Sequence, residues 1–122
     1  MMTLSSLPKT WIFDLDGVLA PHNGYRSGPE RLLPGVAEFA AKIAPEDRVV
    51  LLSSRAPALR ESSLAFLAAA GLRIDHAIFG LPVGERILFN DAKPSGLPTA
   101  HAVNLPRDEG LGNVAFVCDP SL

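Results

Sequence analysis

Short apolar runs alternate along this chain with segments of helical spacing. Trp11–Phe13 and Arg48–Leu52 are mainly apolar runs, which is typical of buried strands in a parallel sheet. Between them a helix is predicted from near Pro34 to Pro45, because apolar residues recur on one face, at Val36, Phe39, Ala40 and Ile43. The alternation predicts an α/β fold with a parallel sheet and crossover helices.

The second half of the chain continues this pattern. A helix is predicted over 58–70, and Gly71 follows it at the usual helix-terminating position. Further strands are predicted at Ala77–Phe79, Ile87–Phe89 and Ala102–Leu105. The last segment, 110–122, is either an edge strand at 114–117 or a loose tail. We therefore expect one domain over 1–122, with loose termini at 1–9 and 118–122.

Composition narrows the class of protein. With 48% hydrophobic and 20% charged residues and a net charge of -2, the chain lacks the basic surface of a nucleic-acid-binding protein. No apolar run approaches the roughly 20 residues of a membrane span, and the first ten residues contain no long apolar signal-peptide core. The single cysteine, Cys118, excludes an internal disulfide. These features predict a cytoplasmic protein that binds neither nucleic acid nor membrane.

Two acidic residues follow the first strand at positions i and i+2. Side chains alternate along an extended segment, so Asp14 and Asp16 project together while Leu15 points into the protein. Two carboxylates this close repel each other unless a cation or a shared proton lies between them. Mg²⁺ suits such a pair, since it prefers oxygen ligands. An alternative is that the pair caps a loop or helix, although capping needs only one carboxylate.

A calcium-binding EF-hand loop also begins with an Asp-x-Asp pair, but the residues that follow exclude it here. Val18, Leu19 and Tyr25 occupy the positions where that loop needs its third ligand, its glycine and its closing glutamate.

Polar residues also follow two later strands. Ser53, Ser54 and Arg55 come after Arg48–Leu52, and Asp91 comes after Ile87–Phe89. Ligands of open parallel sheets bind outside the carboxyl ends of the strands, so these residues are candidates for one site. Each has a simpler alternative: the serines as helix caps, Arg55 in a surface ion pair, and Asp91 in a turn.

Asp14-Leu15-Asp16-Gly17-Val18, after an apolar strand, resembles the first motif of the haloacid dehalogenase-like (HAD) phosphohydrolase superfamily. The resemblance implies a three-layer Rossmann-like sheet flanked by helices. It implies that Asp14 attacks phosphorus to form an aspartyl-phosphate, and that Asp16 acts as general acid and then general base. Family members that catalyse other reactions have a different residue in place of the second aspartate of this motif. The presence of Asp16 therefore favours phosphate-ester hydrolysis.

The other family motifs match less specifically. Leu51–Arg55 resembles the second motif, in which Ser53 would hold the phosphoryl group with help from Ser54 and Arg55. Ile87–Asp91 resembles the fourth motif, in which Asp91 would bind Mg²⁺ together with the Asp14 carboxylate and the Asp16 main-chain carbonyl. The third motif of the family supplies a lysine or arginine that neutralises the nucleophile and the phosphate. The candidates for this residue are Arg86 and Lys93, and Lys93 is favoured because it is expected at the same edge of the sheet as Asp91.

The segments at the family's two cap-insertion points, 20–33 and 80–85, are too short to fold as a cap domain. The chain therefore resembles the capless class, whose members act on large substrates or cover the open site with a neighbouring subunit. This implies a phosphorylated substrate, which is either a small molecule, such as a sugar phosphate or another polysaccharide precursor, or a larger molecule. It also implies a homo-oligomer where a neighbouring subunit covers the site. His22, Tyr25 and Arg26 either contact the leaving group or form an exposed turn. The alternative function is a non-catalytic HAD-like domain that binds phosphate or Mg²⁺.

Overall fold

The computed structural model describes all 122 residues and contains five strands and two α-helices. In chain order these are β1 (Met2–Leu4), β2 (Thr10–Asp14), α1 (Val36–Ala40), β3 (Arg48–Leu52), α2 (Arg60–Ala69), β4 (His76–Ile78) and β5 (Phe116–Cys118). Single 3₁₀ turns lie at Gly24–Arg26 and Pro57–Leu59. Neither α1 nor α2 has the length and apolar character that a membrane-spanning helix requires.

The main sheet has the order β2-β3-β4, and both pairs of strands are parallel. Asp14 lies opposite Leu52, and Leu52 lies opposite Ile78, so the three strands end at the same edge of the sheet. The α/β class and the parallel pairing predicted from the hydrophobic pattern are confirmed. The register also brings the residue after each strand to one place, where the candidate site lies.

Both helices contribute to one hydrophobic core on one face of this sheet. Leu51 of β3 and Leu67 of α2 are fully buried, and Val36 and Phe39 of α1 belong to the same cluster. The opposite face is more open, since Ile12 is 54% exposed and Ile78 is 51% exposed. The observed architecture is thus a small α/β fold, without a second layer of helices among its elements.

The two ends of the chain form a separate parallel pair. β1 pairs with β5, and Met2 lies opposite Phe116. The Phe116 ring lies 5.0 Å from the Trp11 ring and 5.6 Å from the Phe39 ring, measured between centroids. Aromatic packing therefore joins this pair to the core. β1 falls within the 1–9 segment expected to be loose, and β5 confirms an edge strand in the last segment, displaced to 116–118.

The two predicted helices form, but with different boundaries. α1 ends at Ala40, before Pro45, because the N–H groups of Lys42 and Ile43 bond to carbonyls three residues back and tighten the chain. α2 begins at Arg60, after the 3₁₀ turn Pro57–Leu59, whose first residue is a proline. Gly71 follows α2 with φ of 87°, the left-handed conformation expected of a terminating glycine.

Two predicted strands are wrong: Ile87–Phe89 and Ala102–Leu105 do not form strands. Ile87 is 77% exposed and Phe89 is 92% exposed, and neither segment pairs with the sheet. An apolar run becomes a strand only where a neighbouring backbone satisfies its N–H and C=O groups, and that partner is supplied by the tertiary structure. Here β4 forms the edge of the sheet, and the chain after it runs through exposed coil.

Asp47 joins the amino-terminal ends of β2 and β3. Its buried carboxylate accepts hydrogen bonds from the Lys9 backbone N–H at 3.0 Å and from the Trp11 indole N–H at 2.8 Å. Burial by itself raises the pKa of Asp47, but these hydrogen bonds outweigh it and hold the pKa below its usual range. The ionised carboxylate therefore stabilises the fold.

We expect Asp47→Asn to lower the free energy of unfolding at pH 7 by about 1–3 kcal/mol, because an amide cannot accept both hydrogen bonds equally well. Since the folded pKa is depressed, this stabilisation is complete above the unfolded value of about 3.9 and is lost as the pH falls through the folded value. Urea unfolding of the wild type and of Asp47→Asn at pH 7 and at pH 3 measures this difference in the free energy of unfolding. The difference should be smaller at pH 3. The control is Glu46→Gln, a substitution at the exposed neighbouring residue. An equal deficit at both pH values contradicts the ionic interaction.

Candidate functional site

Three chain segments meet at the carboxyl edge of the main sheet. Asp14 ends β2, and Ser53 follows β3, where its N–H donates to the Ile78 carbonyl at 2.9 Å. The chain after β4 then turns back over this edge, because Leu81 N–H donates to the Ser53 carbonyl at 3.1 Å and Gly80 N–H donates to the Arg55 carbonyl at 2.8 Å. The structure thus brings the predicted first and second motifs together.

Asp14 is open to solvent, and one of its carboxylate oxygens accepts the Leu15 N–H at 2.9 Å. Partial burial of the carboxylate raises the pKa of Asp14 above its usual value, and the Asp16 charge adds to the increase. The Leu15 hydrogen bond and the charges of Arg86 and His22 oppose this shift. An accessible carboxylate in an environment that opposes its ionisation is typical of functional sites.

The turn after Asp14 is built on Leu15 and Gly17. Leu15 is fully buried, and its carbonyl accepts the N–H groups of Leu19 and Ala20. Gly17 has φ of 86°, a conformation that a residue with a side chain rarely adopts. The turn therefore anchors Leu15 in the core and leaves Asp14 and Asp16 at the sheet edge, as the alternation of side chains predicts.

Asp16 is bound by a buried arginine. Its two carboxylate oxygens accept the Nε and Nη2 hydrogens of Arg55 at 3.0 and 2.9 Å, a bidentate pair. Glu30 binds the same guanidinium through Nη2 at 2.6 Å and Nη1 at 3.2 Å, and Nη1 also donates to the Ser63 hydroxyl at 2.9 Å. The Tyr25 ring lies 4.4 Å from the guanidinium carbon. We call these five residues the Arg55 cluster.

The Arg55 cluster uses every hydrogen-bond donor of its guanidinium. An arginine side chain has five N–H donors, and five hydrogen bonds lead from Arg55 to Asp16, Glu30 and Ser63. The side chain is only 2% exposed. Burial by itself lowers the pKa of Arg55, but the two carboxylates outweigh it and raise the pKa above its usual value. In this arrangement Arg55 has no free donor for a phosphate. Of the two roles predicted for it, phosphate binding and an ion pair, the structure shows the ion pair.

The two serines of the second motif face different surroundings. Ser53 is fully buried, and its hydroxyl oxygen accepts the Arg55 backbone N–H at 3.1 Å. Ser54 is exposed, and its hydroxyl donates to the Pro82 carbonyl at 3.4 Å. Only Ser54 offers a solvent-accessible hydroxyl at this edge.

Arg86 and Lys93, the two candidates for the third-motif cation, lie in different environments. The Arg86 guanidinium donates to the carbonyls of Pro82 and Gly84 at 3.0 and 3.2 Å and to the Ser54 hydroxyl at 3.5 Å. Its charge lowers the pKa of Asp14. Lys93 lies in an exposed turn closed by a hydrogen bond from the Gly96 N–H. The geometry therefore favours Arg86, against the preference drawn from the sequence.

The predicted magnesium ligands are only partly brought together. No group of three or more histidine, cysteine, aspartate or glutamate side chains is arranged to hold a metal ion, so Asp91 does not complete a set with Asp14 and Asp16. Asp91 lies in exposed coil, and its carbonyl accepts the Thr99 hydroxyl at 3.4 Å. The Asp14 carboxylate is exposed, and the Asp16 main-chain carbonyl accepts no hydrogen bond within the chain, so both are oxygen donors of the kind that Mg²⁺ takes. Mg²⁺ often binds through few protein ligands together with water and substrate phosphate.

Two acidic residues that the sequence analysis missed take part in the site. Glu30 binds Arg55 across 25 positions, and no local spacing or motif signals that pairing. Asp108 accepts the His22 backbone N–H at 2.7 Å and fixes the start of the loop that contains Tyr25. Neither residue follows a strand, so the rule that ligands bind beyond strand ends does not point to either of them.

Comparison of the chain with protein-family models, with curated proteins and with solved structures found no match in any of the three.

Proposed function

We propose that the protein is a Mg²⁺-dependent phosphomonoester hydrolase that acts through an aspartyl-phosphate on Asp14. The observation that carries the proposal is the position of Asp14: it is a solvent-open carboxylate at the carboxyl end of β2, two residues before a second carboxylate held in place by Arg55. The first-motif resemblance in the sequence adds to it.

The proposed reaction has two displacements. An oxygen of Asp14 attacks phosphorus, the bond to the leaving oxygen breaks, and that oxygen takes a proton from the Asp16 carboxyl group. In the second step Asp16 takes a proton from water, the water oxygen attacks phosphorus, and inorganic phosphate leaves Asp14. Arg86 supplies positive charge beside Asp14, and the Ser54 hydroxyl is available to a phosphoryl oxygen. A bound Mg²⁺ would neutralise phosphate charge at the Asp14 carboxylate and the Asp16 carbonyl.

The proposal extends to fold family and substrate class. The order β2-β3-β4 with intervening helices is compatible with a Rossmann-like layout, and we assign it to the capless HAD-like class. Segments 20–33 and 80–85 contain no helix or strand longer than one 3₁₀ turn, which supports the assignment to a class without a cap domain. An open site suits a sugar phosphate or another polysaccharide precursor, with a neighbouring copy as cover. We further propose a cytoplasmic location.

A second candidate function is a non-catalytic domain that binds phosphate or Mg²⁺. Two observations favour it: the donors of Arg55 are all used by neighbouring side chains, and the Ser53 hydroxyl is fully buried. A site of this kind would bind its ligand without turnover.

Phosphate release tests the two candidates. We expect the purified protein to release inorganic phosphate from an aryl phosphate and from members of a sugar-phosphate panel in the presence of Mg²⁺. Removal of the metal with EDTA should abolish release, and added Mg²⁺ should restore it. Absence of turnover on the whole panel, with Mg²⁺ binding measured by calorimetry, favours the binding domain instead.

A further inference from the structure

The Arg55 cluster connects the second carboxylate of the site to a loop that the proposed reaction does not otherwise use. Glu30 lies at the end of the 22–30 loop, and Tyr25 lies within it. Both residues contact the guanidinium that binds Asp16. One buried cation thus fixes the Asp16 side chain and the loop beside it.

The geometry restricts Asp16 more than an ordinary surface ion pair does. Side-chain exposure is 2% for Arg55, 19% for Asp16 and 15% for Glu30, so water competes little for these hydrogen bonds. A bidentate pair fixes both the position and the plane of the carboxylate. A single contact would leave the carboxylate free to rotate.

We infer that Arg55 and Glu30 are positioning residues, which hold the Asp16 carboxyl group where it gives a proton to the leaving oxygen. Two carboxylates share the one guanidinium, so Asp16 can carry that proton while Glu30 remains paired with Arg55. The inference rests on the proposed function and assigns Arg55 a role other than phosphate binding. Glu30 holds the far side of the guanidinium, so that its Nε and Nη2 edge stays directed at Asp16. Tyr25 covers its face.

Lysine cannot reproduce this arrangement. Its ammonium group retains the charge but lacks the planar fork that meets two carboxylates at once. Arg55→Lys therefore keeps the electrostatic balance of the cluster and removes the directional constraint on Asp16. Glu30→Gln keeps the side-chain shape and removes one charge from the far side of the guanidinium.

The dependence on the leaving group separates positioning of an acid from general damage to the site. Dinitrophenolate leaves without protonation, whereas the alkoxide of an alkyl phosphate requires a proton in the transition state. We compare kcat/KM, which includes formation of the aspartyl-phosphate but not its hydrolysis, for 2,4-dinitrophenyl phosphate and for an alkyl phosphate, in the wild type, Arg55→Lys and Glu30→Gln. Asp16→Asn sets the size of the effect when the acid is absent.

For Arg55→Lys we expect kcat/KM on the alkyl phosphate to fall by about 10- to 100-fold, which is part of the roughly 10²- to 10⁴-fold that general acid catalysis contributes. The kcat/KM on the dinitrophenyl ester should change by less than about 3-fold, because its leaving group needs no proton. The kcat itself does not make this distinction, since it also contains the hydrolysis step, in which Asp16 is the base for both esters. Glu30→Gln should show the same selectivity with a smaller loss. The matched control is Arg60→Lys, at an exposed arginine of α2 that donates to the Ala77 carbonyl.

Equal losses on both esters, or no loss on either, would overturn this inference while the proposed function stands. If the wild type hydrolyses neither ester, the proposed function fails and this inference fails with it. Should Arg55→Lys not fold, as judged by circular dichroism, Glu30→Gln decides by the same ratio.

Discussion

Asp14→Asn is expected to abolish phosphate release and at the same time to stabilise the folded protein at neutral pH. Turnover should fall by about 10³-fold or more, as for the loss of other catalytic nucleophiles. Stability should rise because burial raises the pKa of Asp14, so the folded state opposes the charge that this carboxylate carries at pH 7. An amide of the same shape carries no charge at any pH.

The sign of the pH dependence distinguishes this effect from other causes. A carboxyl group whose folded pKa is raised favours folding at low pH, and that contribution is lost as the pH rises through the folded value. The gain in stability of Asp14→Asn should therefore be present at pH 7 and disappear near pH 3. Urea midpoints in metal-free buffer at both pH values measure it.

Asp91→Asn is the matched control for stability, because Asp91 is exposed and lies outside the Arg55 cluster. It should leave the urea midpoint unchanged at both pH values. Full activity in Asp14→Asn would refute the proposed nucleophile. A lower midpoint at pH 7 would show instead that the ionised Asp14 stabilises the fold.

Arg55→Met is expected to have the largest effect on folding. The substitution leaves Asp16 and Glu30 close together, mostly buried and without their cation. Removing one partner from a buried ionic cluster costs about 3–5 kcal/mol. Only 17 of the 122 residues are buried, so the core is small and this loss is a large share of the stability expected for such a domain.

The free energy of unfolding, from urea titrations monitored by Trp11 fluorescence, measures the effect. The exposed Arg60→Met should cost less than about 0.5 kcal/mol, as is usual for surface substitutions. Replacing the three charged residues of the Arg55 cluster, in the triple variant Asp16→Asn, Glu30→Gln and Arg55→Met, should recover most of the loss, since no unpaired charge remains. A cost below about 1 kcal/mol for Arg55→Met would contradict burial of the ion pairs.

Much of the central fold follows from local sequence. β2 and β3 are predicted by apolar runs, α2 by its helical spacing and Gly71, and the parallel order by the alternation of strands and helices. These features depend on the period of apolar residues and on terminating glycines, which act over a few neighbouring residues. Ile87–Phe89 has the same local signal as β2, yet forms no strand, because the signal does not specify a partner strand.

Local sequence is enough to place Asp14 and Asp16 together at the end of a core strand, since side-chain alternation and Gly17 fix their positions. The surroundings of the pair depend on the tertiary structure. Arg55 is separated in the sequence from Asp16 by 39 positions and from Glu30 by 25, and no local pattern encodes contacts between residues so far apart. They form because a buried guanidinium requires partners for all its donors, and only the folded chain brings two carboxylates within reach of it.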